Sequence, residues 1–347
     1  MRINIHIILS RLLQTCLVAS LLAGCTKVVP DDSFEQKSRI GFNTAMTKAA
    51  VGYPINSKFI STAYSIASTG SWNDAASRPN KPIIDEEAVS YIAAERYWST
   101  SKPHYWDANR KYTFFSYSPS SLKGKVDVSK DGVAIPNWDV ETDATEILVA
   151  DIAIDKTKNE SFSGYSGVPT NFRQKLSKLS FNMGISRDAE AGTKVTLLGI
   201  KVSHICTRGN YSKGGYTDDV WTVVEDSRKT GTSGTSVFNV FSGRQELSKT
   251  DFFPASKLII PQSLLQSGSY HPTLIVEYKI QVGGKGAVET KTAECYFDIN
   301  LRQESWEKGM EYTYTIHIGV GQYPIEFDGS VDAWNVLDNE EVNIGDK

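Results

Sequence analysis

Residues 111–118 read KYTFFSYS and are followed by Pro119: Tyr112, Phe114, Phe115 and Tyr117 crowd four rings into one short run. Aromatic and β-branched side chains pack well on a pleated surface, and proline has no N–H to offer a ladder, so this run predicts a strand that stops at Pro119. Outward from it the same strand-length pattern continues in both directions. Upstream, residues 39–44 (RIGFNT) and 58–65 (KFISTAYS) alternate, and residues 89–92 precede Tyr97-Trp98. Downstream, residues 147–154 (ILVADIAI) close a first half, and the polar Gly/Ser-rich residues 156–167 make the best linker. A second half then runs through residues 171–182, 194–202, 256–261, 271–282, 294–301, 313–318 and 325–327. Gly283-Gly284 serves as a turn, across which residues 294–301 would pair back. Short helices are expected only at residues 86–95 and in the turn at 261–265. Strands at this cadence predict an all-β chain of two antiparallel β-sandwich domains.

Length and charge agree with that division. The chain has 347 residues, too many for one ordinary sandwich and suited to two domains of roughly 130–170 residues. The expected boundaries are residues 38–160 and 168–347. Trp, Tyr and Phe number 7, 16 and 14 against 4 Met, a balance that favours strands. A formal charge of −3 supplies no basic field, so nucleic acid is excluded as a partner.

The N-terminus has a separate logic. Arg2 and Arg11 flank an apolar start, and residues 12–24 (LLQTCLVASLLAG) form a run too short to span a bilayer but suited to a signal peptide. The run ends in Leu22-Ala23-Gly24-Cys25, which resembles the lipobox of bacterial lipoproteins, with Cys25 supplying the thiol that takes the lipid. Residues 1–24 are thus expected to be a lipoprotein signal peptide and 25–37 a tether. Removing Arg2 and Arg11 moves the formal charge from −3 to about −5. Thr26, not aspartate, follows the lipidated position, so the outer membrane is the expected destination through a lipid anchor. Lys27 and Asp31-Asp32 resemble the acidic surface-export signals of some bacterial lipoproteins. Of the remaining cysteines, Cys206 and Cys295 either form a disulfide in an oxidising compartment or stay as buried thiols.

Converging catalytic groups are scarce. His104, His204, His271 and His317 show no metal-ligand spacing with one another. Cys206 lies two residues from His204, on one face of a strand, which reads more simply as a core pair than as two ligands. The acidic runs 85–87 and 218–219 read as solvated clusters, with a glycosidase pair as the sharper alternative. Trp72, Trp98, Tyr105, Trp106, Trp138 and Trp221 allow a sugar-stacking platform, against core packing. No cofactor, no metal and no enzymatic turnover are expected.

Several segments in order resemble the fimbrillin family, the subunits and accessory lipoproteins of type V pili. Ile40-Gly41-Phe42 with Thr47-Lys48-Ala49 is similar to its first strand and junction, and Tyr97-Trp98 with residues 111–119 to its core strand. Residues 146–150, 172–181 (with Gln174 in place of a usual histidine) and 258–262 (LIIPQ) follow its pattern. So do Trp306, Gly309, residues 312–316, Ile325, Phe327 and Trp334. The resemblance implies two transthyretin-like β-sandwich domains and a surface-exposed outer-membrane lipoprotein of the fimbrium. It also implies assembly with other pilus subunits by strand exchange once a protease removes the first strand. Ile40, Phe42 and Thr44 would lie on that removable strand, with Lys48 or Arg39 as the processing site. Lys48 stands where the family commonly has arginine. Beyond Trp334 the chain is acidic and poor in alternating apolar residues, a feeble donor strand, which points to an anchor, tip or accessory role. A host protein or glycan is a further partner that this role implies; the rival reading is a glycan-binding outer-membrane lipoprotein.

Overall fold

Strands β2 (Phe59–Ala67) and β5 (Arg110–Ser118) are buried almost throughout, and the sheets on either side explain why. In the computed structural model, which describes residues 39–46, 53–158, 167–186, 191–231, 236–282, 288–320 and 325–333, β2 and β5 pair with each other and complete a closed ring. The ring continues from β2 through β3 (Ile84–Ile92), β4 (Tyr97–Thr100), β1 (Phe42–Met46), β10 (Val168–Gln174) and β8 (Leu148–Ala150) back to β5, and β9 (Ala153–Lys156) pairs with the earlier part of β5. Successive side chains of a strand point to opposite faces. Phe59, Ala63, Tyr112 and Phe114 therefore fill the ring, while Ile60, Tyr64, Phe115 and Tyr117 join a second core outside it. The aromatic run at 111–118 is apolar on both faces because it separates two cores.

The second core is shared by two four-stranded sheets. One has the order β16 (Phe253–Ile259), β11 (Ser177–Ile185), β21 (Met310–Ile318), β22 (Glu326–Ala333). The other has the order β15 (Phe238–Glu246), β12 (Lys194–Ser203), β18 (Thr273–Gln281), β19 (Val288–Tyr296). Leu179, Phe181, Tyr314 and Ile316 from the first meet Val195, Leu197, Leu274 and Val276 from the second in one cluster. A third sheet, β14 (Val220–Val223), β13 (Arg208–Gly214), β7 (Gly132–Asp139), β6 (Asp127–Ser129), joins strands from both halves of the chain. At its seam Gly132 has φ +153°, and a Cβ there would lie 2.1 Å from the Lys213 carbonyl oxygen, so only glycine fits. A short pair, β17 (Gln262–Ser263) with β20 (Ser305–Trp306), completes the set. Ile40–Lys347 forms one compact unit.

The chain is all-β, with four corrections to the expected detail. The ladders are not all antiparallel: β1 runs parallel to β10, and β11 parallel to β21. More than a hundred residues separate each pair in the sequence, so the long crossover that parallel pairing needs is available. Residues 86–95, expected as a helix, instead lie in β3 and the turn after it, because Glu86 takes φ +44° opposite a register shift in β2 and Val89 points into the ring. The turn at 261–265 holds β17 in place of a helix. Of residues 294–301, the first three close the β18–β19 hairpin, and Phe297–Asn300 forms a single helical turn.

The linker between the expected domains falls largely on residues 159–166, outside the described residues. Just beyond it β10 joins the ring with strands of the first half, and β13 pairs with β7, so sheets run across that boundary. The signal peptide, Cys25, the tether, Lys48, Gly283-Gly284 and the tail from Trp334 onward also lie outside the described residues.

Candidate functional site

Strand β1 enters the ring by backbone contacts on both sides. The Ile40 N–H donates to the His104 carbonyl at 2.7 Å, and the Gly41 carbonyl accepts from the Val168 N–H at 2.7 Å. From Phe42 to Met46 it then runs in parallel register with residues 168–172 of β10. Toward β4 it pairs at one position, Phe42 with Trp98. The ladder is thus extensive on one side and brief on the other.

Alternation decides what this strand buries. Ile40 and Phe42 are 1% and 2% exposed, Asn43 is exposed, and Thr44 is half-buried. The Phe42 ring meets Phe59 and Phe114 edge-on, at centroid distances of 5.6 and 5.8 Å. Trp98, Val168 and Phe172 belong to the same cluster. Taking Ile40 and Phe42 out of this cluster would return to water two side chains worth about 1.5–3 kcal/mol each.

Behind β1 the chain is anchored again at Tyr53. Its ring packs on Phe172, Trp98 and Phe59 at 4.9, 5.2 and 5.8 Å. Its hydroxyl lies 2.6 Å from Ser118 Oγ and donates to the Lys58 carbonyl at 3.1 Å. Burial raises the Tyr53 pKa, so the phenol stays a neutral donor. Lys48 falls between these two anchored points, among residues 47–52. Arg39 is half-buried and precedes the strand.

Gly167 sets how closely β10 can approach β1. It has φ +91°, and a Cβ there would lie 2.7 Å from the Phe42 carbonyl carbon. Substituting Gly167→Ala is expected to cost about 1–3 kcal/mol, read as a lower thermal midpoint of the uncut chain.

Elsewhere the sequence-derived candidates separate. Cys206 and Cys295 are both buried free thiols, which resolves that choice, and burial pushes Cys295 up to about 12. His204 Nδ1 lies 2.9 Å from the His271 carbonyl oxygen, a backbone contact and not a metal geometry. No cluster of three metal-ligating side chains occurs among the described residues. In the 85–87 run, Glu86 accepts from the Tyr117 hydroxyl at 2.9 Å and Glu87 pairs with His104 at 2.9 Å. Trp72, Trp98, Trp106 and Trp138 are core residues, whereas Tyr105 is exposed and Trp221 half-buried, so these rings form no common platform.

The run 218–219 is not simply a solvated cluster. Asp219 is largely buried, 2.5 Å from the Nζ of Lys175, itself 2% exposed, and 2.7 Å from that of Lys308. Tyr211 donates its hydroxyl to the same carboxylate at 3.1 Å. Desolvation would raise the Asp219 pKa, but its hydrogen bonds to Lys175 and Lys308 outweigh that and hold it well below the usual carboxylate range. The Lys175 ammonium is in turn pulled down by burial. The sequence carries no signal for this pair, because nothing local marks Lys175 as internal.

Comparison with known proteins follows the fold. A family model described as fimbrillin-like matches residues 60–334. A fimbrial protein from Bacteroides vulgatus superposes with a TM-score of 0.63 at 15% identity, over 86% of this chain and 100% of its own. A candidate cell adhesion protein from Bacteroides uniformis gives 0.49 at 16% identity, over 86% of this chain and 99% of its own. The tip fimbrial protein Mfa3 from Porphyromonas gingivalis, truncated at its C-terminus, gives 0.38 at 10%, over 80% of this chain and 94% of its own. At these identities the first likeness speaks for the fold alone, and the other two carry no argument. Among curated proteins no sequence match is found.

Proposed function

The chain belongs to the fimbrillin-like family, and from that premise we propose that it is a surface pilus subunit or accessory adhesin assembled by replacement of β1. One observation carries this reading. The strand buries Ile40 and Phe42 in an aromatic groove, holds mainly to β10, and is followed by a separately anchored Tyr53. A cut at Lys48 would free residues 40–46 and leave Tyr53 fixed; a cut at Arg39 would leave the strand tied to the rest of the chain. Lys48 is therefore the processing site we favour. The vacated groove offers backbone groups of β10 and pockets at two alternate positions, which is what β-strand addition from another subunit requires.

In this reading the ring and the facing pair of four-stranded sheets are the two transthyretin-like domains, with β10 completing the first. Residues 1–24 direct export, Cys25 carries lipid at the outer membrane, and the role is structural, without turnover. The test uses residues 25–347 with Cys25→Ser, digested by a lysine-specific endoproteinase under native conditions. The expected result is loss of the segment before Tyr53, followed by concentration-dependent oligomers that Lys48→Gln prevents. A digested protein that has lost β1 yet stays monomeric at high concentration overturns strand replacement.

A further inference from the structure

Away from β1, a cavity of about 490 Å³ opens where β14, the turn at 225–228 and the loop 261–272 meet. Its volume lies within the range of about 300–1,000 Å³ typical of small-ligand pockets. Trp221 and Tyr270 line it. Trp221 is fixed by its Nε1–H, which donates to the Lys175 carbonyl at 2.6 Å, and by Tyr211 at 5.4 Å. Tyr270 is 39% exposed, and the Arg228 guanidinium sits 5.1 Å from its ring centroid.

The polar lining narrows the ligand class. Arg228 is engaged by both carboxylate oxygens of Glu225 at 2.7–2.9 Å, so the two charges cancel within the wall. What remains is uncharged: Ser263, Ser267 and Gln266, hydroxyl and amide groups on the loop beside the two aromatic residues. A charged ligand finds no net field here, and a purely apolar one would strand these donors and acceptors. Rings with apolar faces and hydroxyl rims satisfy both kinds of surface at once. We propose that this cavity binds a neutral oligosaccharide.

The site is independent of strand replacement and is tested on the uncut monomer. Isothermal titration would use lactose, N-acetyllactosamine, chitobiose and mannobiose, with 3′-sialyllactose as the charged comparator and a mixed hexapeptide pool as the polypeptide comparator. At least one neutral sugar is expected to bind saturably. Tyr270→Ala and Gln266→Ala, both on exposed residues, are each expected to weaken binding by about tenfold or more at unchanged thermal midpoint. Absence of binding by every neutral sugar at millimolar concentration overturns the proposal. So does binding that survives both substitutions, or binding confined to the peptide pool or the sialylated sugar.

Discussion

Replacing Phe42 by alanine is expected to destabilise the uncut chain by about 3–5 kcal/mol, the usual cost of emptying a fully packed phenylalanine site. Phe42 is 2% exposed, touches Phe59 and Phe114 edge-on, and is paired with both Val168 and Trp98 across its two ladders. Its neighbour Asn43 points to solvent, so Asn43→Ala should stay within about 0.5 kcal/mol. Chemical denaturation of the uncut chain reads both. The informative comparison follows digestion: a protein that has lost residues 40–46 carries no memory of the substitution, so the two variants should then coincide. Under the strand-replacement proposal, Phe42→Ala should also speed release of the cut segment, because a smaller side chain leaves the groove more readily. A cost below about 1 kcal/mol would mean that β1 is not anchored through this ring.

How much of this was legible depended on whether the deciding contact was local. The aromatic run at 111–118 announces β5, and the alternation at 59–65 announces β2, because pleat geometry maps directly onto side-chain order. The same logic exposes Ile40 and Phe42 as inward residues of β1. Sequence cannot say which strand lies beside which: the parallel pairings of β1 with β10 and β11 with β21 join residues more than a hundred positions apart. Residues 86–95 mislead for a local reason, since the positive φ at Glu86 interrupts the alternation that would have marked β3. Trp221 was one of six aromatics of equal standing in the sequence; only burial separates it from the core tryptophans. Lys175 was silent altogether. Its neighbours in the chain are ordinary strand residues, and its partner Asp219 comes from beyond β13.

That buried pair gives the other large expected effect. Asp219→Ala should cost about 3–5 kcal/mol, because it leaves Lys175, 2% exposed, as an uncompensated internal charge. Lys175→Met should cost less, since Asp219 keeps Lys308 and the Tyr211 hydroxyl as partners and the methionine fills the lysine's stem. Combining Lys175→Met with Asp219→Leu should recover part of the loss, as apolar replacement of both members of a buried ion pair often does. Acid titration supplies the independent check. The folded Asp219 holds its proton less tightly than the unfolded residue, whose pKa is about 3.9, so its contribution is fully present above that pH. It declines as pH falls toward the depressed folded value, where protonating the carboxylate breaks both lysine contacts. The wild-type chain should therefore lose stability on the acid side more steeply than Asp219→Ala, with the two denaturation midpoints converging as pH drops. Parallel curves across that window would mean that Lys175 is held by something other than the Asp219 charge.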